Sequence, residues 1–402
     1  MIILHTADLH LGKKLGRVSR LEEQEQAIRE IAKIADEREV DVILIAGDIF
    51  DASVPAAEAE RVFYCALNTF SERGRAVVAL AGNHDDEKRL CAAKPLAMLQ
   101  GIVLAGEIDY SELGEKTYSE PVPPASLLDV ASAADYLQKQ RCKVYGRFGG
   151  ITVEKEGERV NIALVPYPSE ARLSRWFEEI DYNVLYPERV KDTINKACAF
   201  FDDNYNILCT HLFLTKSEGE TLGGLLALPF SVLPEKADYV ALGHVHKRYT
   251  VTKKPLAVYP GAPLQYAYDE TRDKSVTLID TKTGQVSPVP LSCGRKLTET
   301  DADNFDECMQ KLDFYKKDYV RIRYGGEPLG KEQTLEIKDH PAFNDLVIKA
   351  SSHEKLKKEN RAHLSDGEIF DMYYKARYGA DPTAELKAAF VELMEELKSE
   401  AD

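Results

Sequence analysis

Apolar residues along the first 290 positions fall into two alternating arrangements. Short unbroken runs rich in Val, Ile, Leu and Ala occur at residues 2–5, 42–46, 77–81, 161–166, 207–209 and 239–242. Runs of this length with no polar alternation predict strands buried on both faces. Between them the apolar positions recur at helical spacing. Residues 21–38 place Ala27, Ile28, Ile31, Ala32 and Ala35 on one stripe. A second helix is predicted from Pro55, a first-turn residue, to a stop at Gly74. Such alternation predicts an α/β layered domain, which binds its ligands beyond the C-terminal ends of its strands.

The pattern changes after Pro290. Residues 256–280 read as further strands, with a turn at Tyr259-Pro260-Gly261. A helix over 303–312, a strand over 318–324, another helix, and a strand near 346–349 predict a small α+β domain. The expected organisation is therefore 1–290, an α/β domain; 291–351, an α+β domain; 352–364, a charged linker; and 365–402, a helical segment. Ser365-Asp366-Gly367-Glu368 has capping-box spacing, and Asp381-Pro382 opens another helix. Leu386, Phe390, Leu393, Met394 and Leu397 form a stripe there. Ile369, Phe370, Tyr373 and Tyr374 mark the helix before it.

Composition narrows the class. The chain has 402 residues and is 44% hydrophobic, which suits a soluble globular protein with a sizeable core. No apolar run approaches the length of a membrane span, and Met1-Ile2-Ile3-Leu4 has neither the basic start nor the cleavage site of a signal peptide. A cytoplasmic location is the expectation. Seven cysteines, none in Cys-x-x-Cys spacing, predict reduced, packed thiols. A net charge of −15 argues against indiscriminate nucleic-acid binding, but leaves room for DNA held by a local basic patch, metal ions or a partner.

The candidate chemistry lies just after the strand runs, in Asp8-Leu9-His10, Gly47-Asp48, Gly82-Asn83-His84-Asp85, Thr210-His211 and Gly243-His244-Val245-His246. Five of the nine histidines are in these segments. Asp-x-His or Gly-Asp alone is a common cap or turn. Five segments of oxygen and imidazole donors in this order predict a two-metal centre for phosphoester hydrolysis. Asp8 and His10 share a face of an extended segment, whereas His5 has the opposite parity and reads as a core residue. With no thiolate in the set, manganese, iron or zinc are suited, manganese first.

These segments, with Asp8-Leu9-His10-Leu11-Gly12, Gly47-Asp48-Ile49-Phe50-Asp51 and Tyr259-Pro260-Gly261-Ala262-Pro263-Leu264-Gln265, resemble the calcineurin-like metallophosphoesterases. Within them they look like the SbcD-type DNA repair nucleases. Ala262 stands where that branch often has Ser. Ala52-Ser53 after Asp51 departs from the protein-phosphatase branch. Residues from about 105 to 160 match no pattern.

The resemblance implies a layered sandwich of mixed sheets flanked by helices, a DNA-contacting α+β cap and a C-terminal helical extension. It implies that Asp8, His10 and His246 hold one Mn2+ ion, that Asn83, His211 and His244 hold a second, and that Asp48 bridges them. His84 would then donate a proton to the leaving oxygen, with Asp85 orienting its ring. It implies exonuclease action on duplex ends, endonuclease action on hairpins, a homodimer, and an SbcC-type coiled-coil ATPase. That partner would be bound by the terminal helices through Phe370, Tyr374, Leu386, Phe390, Leu393 and Leu397. Lys13, Lys14, Arg17 and Arg20, and Lys247 and Arg248, follow two metal motifs and are candidates for DNA phosphates. Arg321 and Arg323 are weaker candidates on the cap. The alternatives are a stand-alone phosphodiesterase or phosphatase, and a non-catalytic scaffold. A scaffold of this kind loses ligands, whereas every ligand position here is filled.

Overall fold

A computed structural model describes residues 1–106, 141–147, 149–169, 182–215, 221–222, 225–349, 370–371, 373–375, 381–383, 386–387 and 390. The chain forms two units, Met1–Val347 and Ile348–Asp402.

In the first unit the chain begins with β1 (Ile2–Thr6), α1 (Leu21–Glu37), β2 (Val42–Ile45), α2 (Ala57–Ser71), β3 (Ala76–Leu80) and β4 (Ile102–Ala105). Next come β5 (Lys143–Arg147), β6 (Gly150–Lys155), β7 (Glu158–Val165), α3 (Tyr182–Ala197), β8 (Tyr205–His211), β9 (Tyr239–Gly243), β10 (Tyr249–Lys253) and β11 (Leu256–Tyr259). β12 (Lys274–Asp280) and β13 (Gln285–Leu291) complete the large sheets. The first sheet runs β13-β12-β1-β2-β3-β4 and the second β10-β11-β9-β8-β7-β6-β5. β1 to β4 are mutually parallel, with Leu4 opposite Ile43, and β12 joins antiparallel to β1. β7, β8, β9 and β11 are parallel in the second sheet.

The sheets stack face to face. Ile3, Val42, Leu44, Val78 and Leu80 meet Ile162, Ile207, Cys209, Ala241 and Val258 between them. α1 and α2 cover the outer face of the first sheet, and α3 that of the second. Both strand faces are therefore buried, which is why β2 and β3 carry no polar side chain. On α1 the stripe of Ala27, Ile28, Ile31, Ala32 and Ala35 is buried. Each isoleucine there contributes roughly 1.5–3 kcal/mol.

The structure departs from the expected boundaries for local reasons. α2 ends at Ser71, followed by a short 3-10 turn in which Arg73 takes φ +59°. β8 runs on to His211 because Thr210 and His211 still pair with Leu242 and Gly243. β13 carries Pro288 and Pro290, which an edge strand tolerates because its outer N–H groups have no ladder partner.

Residues 297–348 form β14 (Leu297–Ala302), α4 (Phe305–Phe314), β15 (Tyr319–Tyr324), α5 (Lys331–Asp339) and β16 (Phe343–Ile348). The sheet order is β14-β15-β16, and Cys308, Leu312, Val320, Ile322 and Ile337 fill a separate small core. In the second unit, Phe370 stacks on Phe390 with ring centroids 4.3 Å apart and planes at 13°. Tyr374 lies 5.8 Å from Phe370, and Lys387 pairs with Asp371. Leu386 and Tyr373 are exposed. The linker at 352–364, the capping box at 365–368, Leu393 and Leu397 lie outside the described residues. No helix among the described residues is long and apolar enough to cross a membrane.

Candidate metal centre

The five segments meet at one end of the sandwich. Asp8 and His10 follow β1, Asp48 follows β2, and Asn83 and His84 follow β3. His211 ends β8, and His244 and His246 follow β9. The first sheet contributes Asp8, His10, Asp48, Asn83 and His84 and the second His211, His244 and His246, and Asp48 lies where the two sets touch. Its Oδ2 is 3.5 Å from His10 Nε2 and 3.4 Å from His211 Nε2. Asn83 Oδ1 is 3.0 Å from His211 Nε2 and 2.9 Å from His244 Nδ1. His10 Nε2 faces His246 Nε2 at 3.0 Å. Donor atoms of Asp8, His10 and His246 lie within 4.8 Å of one another, as do those of Asp48, His211 and His244.

This packing fits metal ions better than it fits a polar core. Asp8 is fully buried, and its Oδ2 has no hydrogen-bond partner among the described residues. Burial pushes the Asp8 carboxyl above its usual range, and an oxygen left in that state is satisfied by a cation or by a proton. One grouping holds Asp8, His10 and His246, and another joins Asp48 to His211 and His244, with Asp48 in reach of His10 as well. A third, His10, Asp48 and His84, brings His84 equally close.

Backbone strain marks the same residues. Asp8, His10, Asp48 and His244 have φ of 55°, 43°, 50° and 102°. Positive φ outside glycine costs on the order of 1–3 kcal/mol and persists where the surroundings enforce it, often at functional sites. The adjoining glycines allow close approach. A Cβ on Gly243 would sit 1.7 Å from the Ala46 carbonyl oxygen, and one on Gly47 2.2 Å from His211 Nδ1.

Hydrogen bonds fix the rings. His211 Nδ1 donates to the Ala46 carbonyl at 2.8 Å, which leaves Nε2 for the centre. His246 Nδ1 is 2.8 Å from Glu270 Oε1. Burial pushes the Asp48 carboxyl up, but the charges of His211 and His10 and the His84 N–H outweigh it and hold it far below the usual range. Burial lowers His211, yet Asp48 raises it to about 9. Burial, with the neighbouring His211 charge, drives His244 to about 3.

His84 is oriented differently from the expectation. Its Nδ1 lies 2.9 Å from the Asp51 carbonyl oxygen. The Asp85 carboxylate accepts the backbone N–H groups of Ile49, Phe50 and Gly82 at 3.0, 2.8 and 2.8 Å. Asp85 thus ties the second and third metal loops together, and Asp51 sets the ring.

The basic candidates separate. Lys14, Arg17 and Lys247 are exposed. Lys13 pairs with Asp51 at 2.7 Å, beside His10. Arg20 is buried against Glu23 and the Gln265 carbonyl, so it is a core residue and not a phosphate contact. Arg248 is partly buried with its Nε enclosed, and its charge acts on buried His5 and Tyr239. Arg321 pairs with Asp345 and Glu299 and stacks on Tyr268, and Arg323 pairs with Asp301 and Glu299. Both arginines are thereby paired with carboxylates.

Sequence reading missed Glu270, Gln24 and Tyr266. Gln24 donates to the His10 carbonyl at 2.6 Å, and Tyr266 packs edge-on against His10 and His246. Gln24 and Glu270 lie among polar neighbours, in Glu22-Glu23-Gln24-Glu25 and Asp269-Glu270-Thr271-Arg272, so no local pattern marked them.

The family model for calcineurin-like phosphoesterases matches residues 1–248, and the chain belongs to that family. Along its whole length it is similar to the SbcD subunit of the SbcCD nuclease of Bacillus subtilis (strain 168). The two are 33% identical over 426 residues, covering 100% of this chain and 99% of that protein, which places the chain on the SbcD-type branch. Two solved structures are similar in part. A protein of Thermus thermophilus has 13% identity and a TM-score of 0.36, covering 72% of this chain and 99% of that one. A dimetal phosphatase from Danio rerio has 12% identity and a TM-score of 0.37, covering 69% and 91%.

Proposed function

We propose that the chain is a manganese-dependent DNA nuclease subunit, cutting phosphodiester bonds at double-strand ends and hairpins. It would act in the cytoplasm as a homodimer with an SbcC-type coiled-coil ATPase in DNA repair and recombination. The observation that carries the reading is the convergence of Asp8, His10, Asn83, His211, His244 and His246 around Asp48, with a buried Asp8 oxygen that has no protein partner among the described residues. The full-length similarity to a relative named as a nuclease subunit supports the substrate and the ATPase.

In this reading Asp8, His10 and His246 would hold one ion, Asn83, His211 and His244 the other, and Asp48 would serve both. Divalent ions there would supply Lewis-acid polarisation of the phosphoryl oxygen and a water acidified towards neutrality. The chain's own residues do the rest. The Asp51 carbonyl fixes His84 through Nδ1, and Nε2 would then face the scissile phosphate. A proton carried on that nitrogen passes to the leaving oxygen. Lys13, Lys14, Arg17 and Lys247 line the approach and hold neighbouring phosphates, with Arg248 in a lesser part. The domain at 291–351 acts as the cap over DNA, and the segment at 365–402 binds the ATPase.

The test is cleavage of end-labelled duplex and hairpin DNA with Mn2+, with a chelator, and with and without the ATPase. Metal-dependent DNA cleavage is expected. Hydrolysis of small phosphodiesters with no action on DNA would support the stand-alone phosphodiesterase instead.

A further inference from the structure

Glu270 lies 24 residues beyond the last metal motif, in the loop between β11 and β12, and its carboxylate is used on both oxygens. Oε1 is 2.8 Å from His246 Nδ1. Oε2 accepts from Lys274 Nζ at 2.6 Å and from the Tyr266 backbone N–H at 3.1 Å. Lys274 in turn donates to the His246 carbonyl at 3.1 Å. Both the ring and the backbone of His246 are therefore held by this pair. A histidine whose Nδ1–H is given to a carboxylate presents a fixed, more basic Nε2.

The same loop grips the small α+β domain. Gln265 accepts the Leu297 N–H on Oε1 at 2.9 Å, and its Nε2 donates to the Glu270 carbonyl at 3.1 Å. Leu297 is the first residue of β14. A continuous hydrogen-bonded path thus runs from the first strand of the cap, through Gln265 and Glu270, to the ring of His246.

We propose that Glu270 is a positioning residue of the metal centre, and that Gln265 makes the set of His246 depend on how the cap is seated. The proposal rests on the metal-centre reading for its consequence, and on the hydrogen bonds alone for its geometry. Glu270 touches no substrate in this scheme. It fixes the tautomer and direction of one ring, and a cap displaced by DNA would loosen that ring through Gln265.

The experiment uses the full chain and Mn2+ alone. Calorimetry of Glu270→Ala should show one of two Mn2+ equivalents weakened about 10–100-fold, the range for loss of a supporting partner of a ligand. Glu270→Gln keeps a carbonyl acceptor and should recover much of the loss. Gln265→Ala should weaken the same equivalent several-fold less than Glu270→Ala. In metal-free protein labelled with 15N-histidine, the His246 Nδ1–H signal should be present and should vanish in Glu270→Ala. Two equivalents bound by Glu270→Ala at wild-type affinity would overturn the positioning role. Unchanged affinity in Gln265→Ala would overturn the link to the cap. If the unaltered chain binds no Mn2+, the metal-centre reading fails by itself, and the Nδ1–H signal then decides Glu270: its loss in Glu270→Ala supports the role, and its absence from the unaltered chain overturns it.

Discussion

The backbone carbonyl of Asp51 holds the ring of His84, at 2.9 Å from Nδ1. A main-chain acceptor cannot be removed by substitution and does not change charge with pH, so the ring's direction is set by the loop itself. That loop is held to the third metal loop by the Asp85 carboxylate, through the Ile49, Phe50 and Gly82 N–H groups.

His84→Asn should lower cleavage by roughly 10²–10⁴-fold, the usual contribution of a positioned proton donor. Both metal equivalents should remain. Because His84 also lies within 4.8 Å of donors on His10 and Asp48, the metal count decides its role. Loss of one equivalent, measured by native mass spectrometry or calorimetry, would make it a ligand and overturn the assignment.

Asp48→Ala should abolish activity and weaken both ions, since its carboxylate sits between His10 and His211. The loss per ion should exceed the roughly 10–100-fold that removal of a supporting partner costs. His246→Ala should chiefly weaken one. Two tight Mn2+ ions in Asp48→Ala would show that the carboxylate bridges nothing.

Much of this centre was legible because its donors follow uninterrupted apolar runs, the pattern expected of strands buried on both faces. Glu270 was not legible, since Asp269-Glu270 reads as a solvated turn until the fold brings it to His246. Arg20 misled for the opposite reason. Arginine beside a metal motif reads as a phosphate contact, and only packing shows Arg20 buried on Glu23. β13 was hidden by Pro288 and Pro290, which are acceptable because the strand lies on the edge. The pairing of β12 with β1, which closes the first sheet, depends on contacts some 270 residues apart that no local pattern encodes.

Chelated protein should show a pH signature of the Asp48–His211 pair. His211 is raised from 6.5 to about 9, so its contribution to stability is complete below about pH 6.5 and is lost as pH rises through 9. Asp48 is depressed, so its contribution is present above about pH 4 and is lost as pH falls towards its folded value. The melting temperature of the metal-free chain should therefore decline between pH 6.5 and 9.5. Mn2+ should restore it, because ions replace the proton on His211, and loading near pH 7.5 should release a proton. A flat profile with no proton release in calorimetry across buffers would refute the pairing.

The C-terminal unit offers a separation of assembly from chemistry. All proposed ligands precede residue 250, so truncation before Ser365 should leave Mn2+-dependent cleavage of simple DNA intact while stable ATPase binding is lost. Single substitutions sharpen the point, because the unit's aromatic residues do different jobs. Phe370 and Phe390 stack on each other at 4.3 Å, so a charge at Phe390 would disturb the unit's own packing as well as any contact. Leu386 and Tyr373 are 42% and 63% exposed, and so are free to meet a partner. Leu386→Glu should thus weaken ATPase pull-down without changing the melting curve, whereas Phe390→Glu with Leu393→Glu should alter both. If Leu386→Glu and the truncation both leave the ATPase tightly bound, the partner site lies elsewhere. If truncation unfolds the catalytic unit or ends cleavage, these helices serve the core, and assembly cannot be separated from chemistry at Ser365.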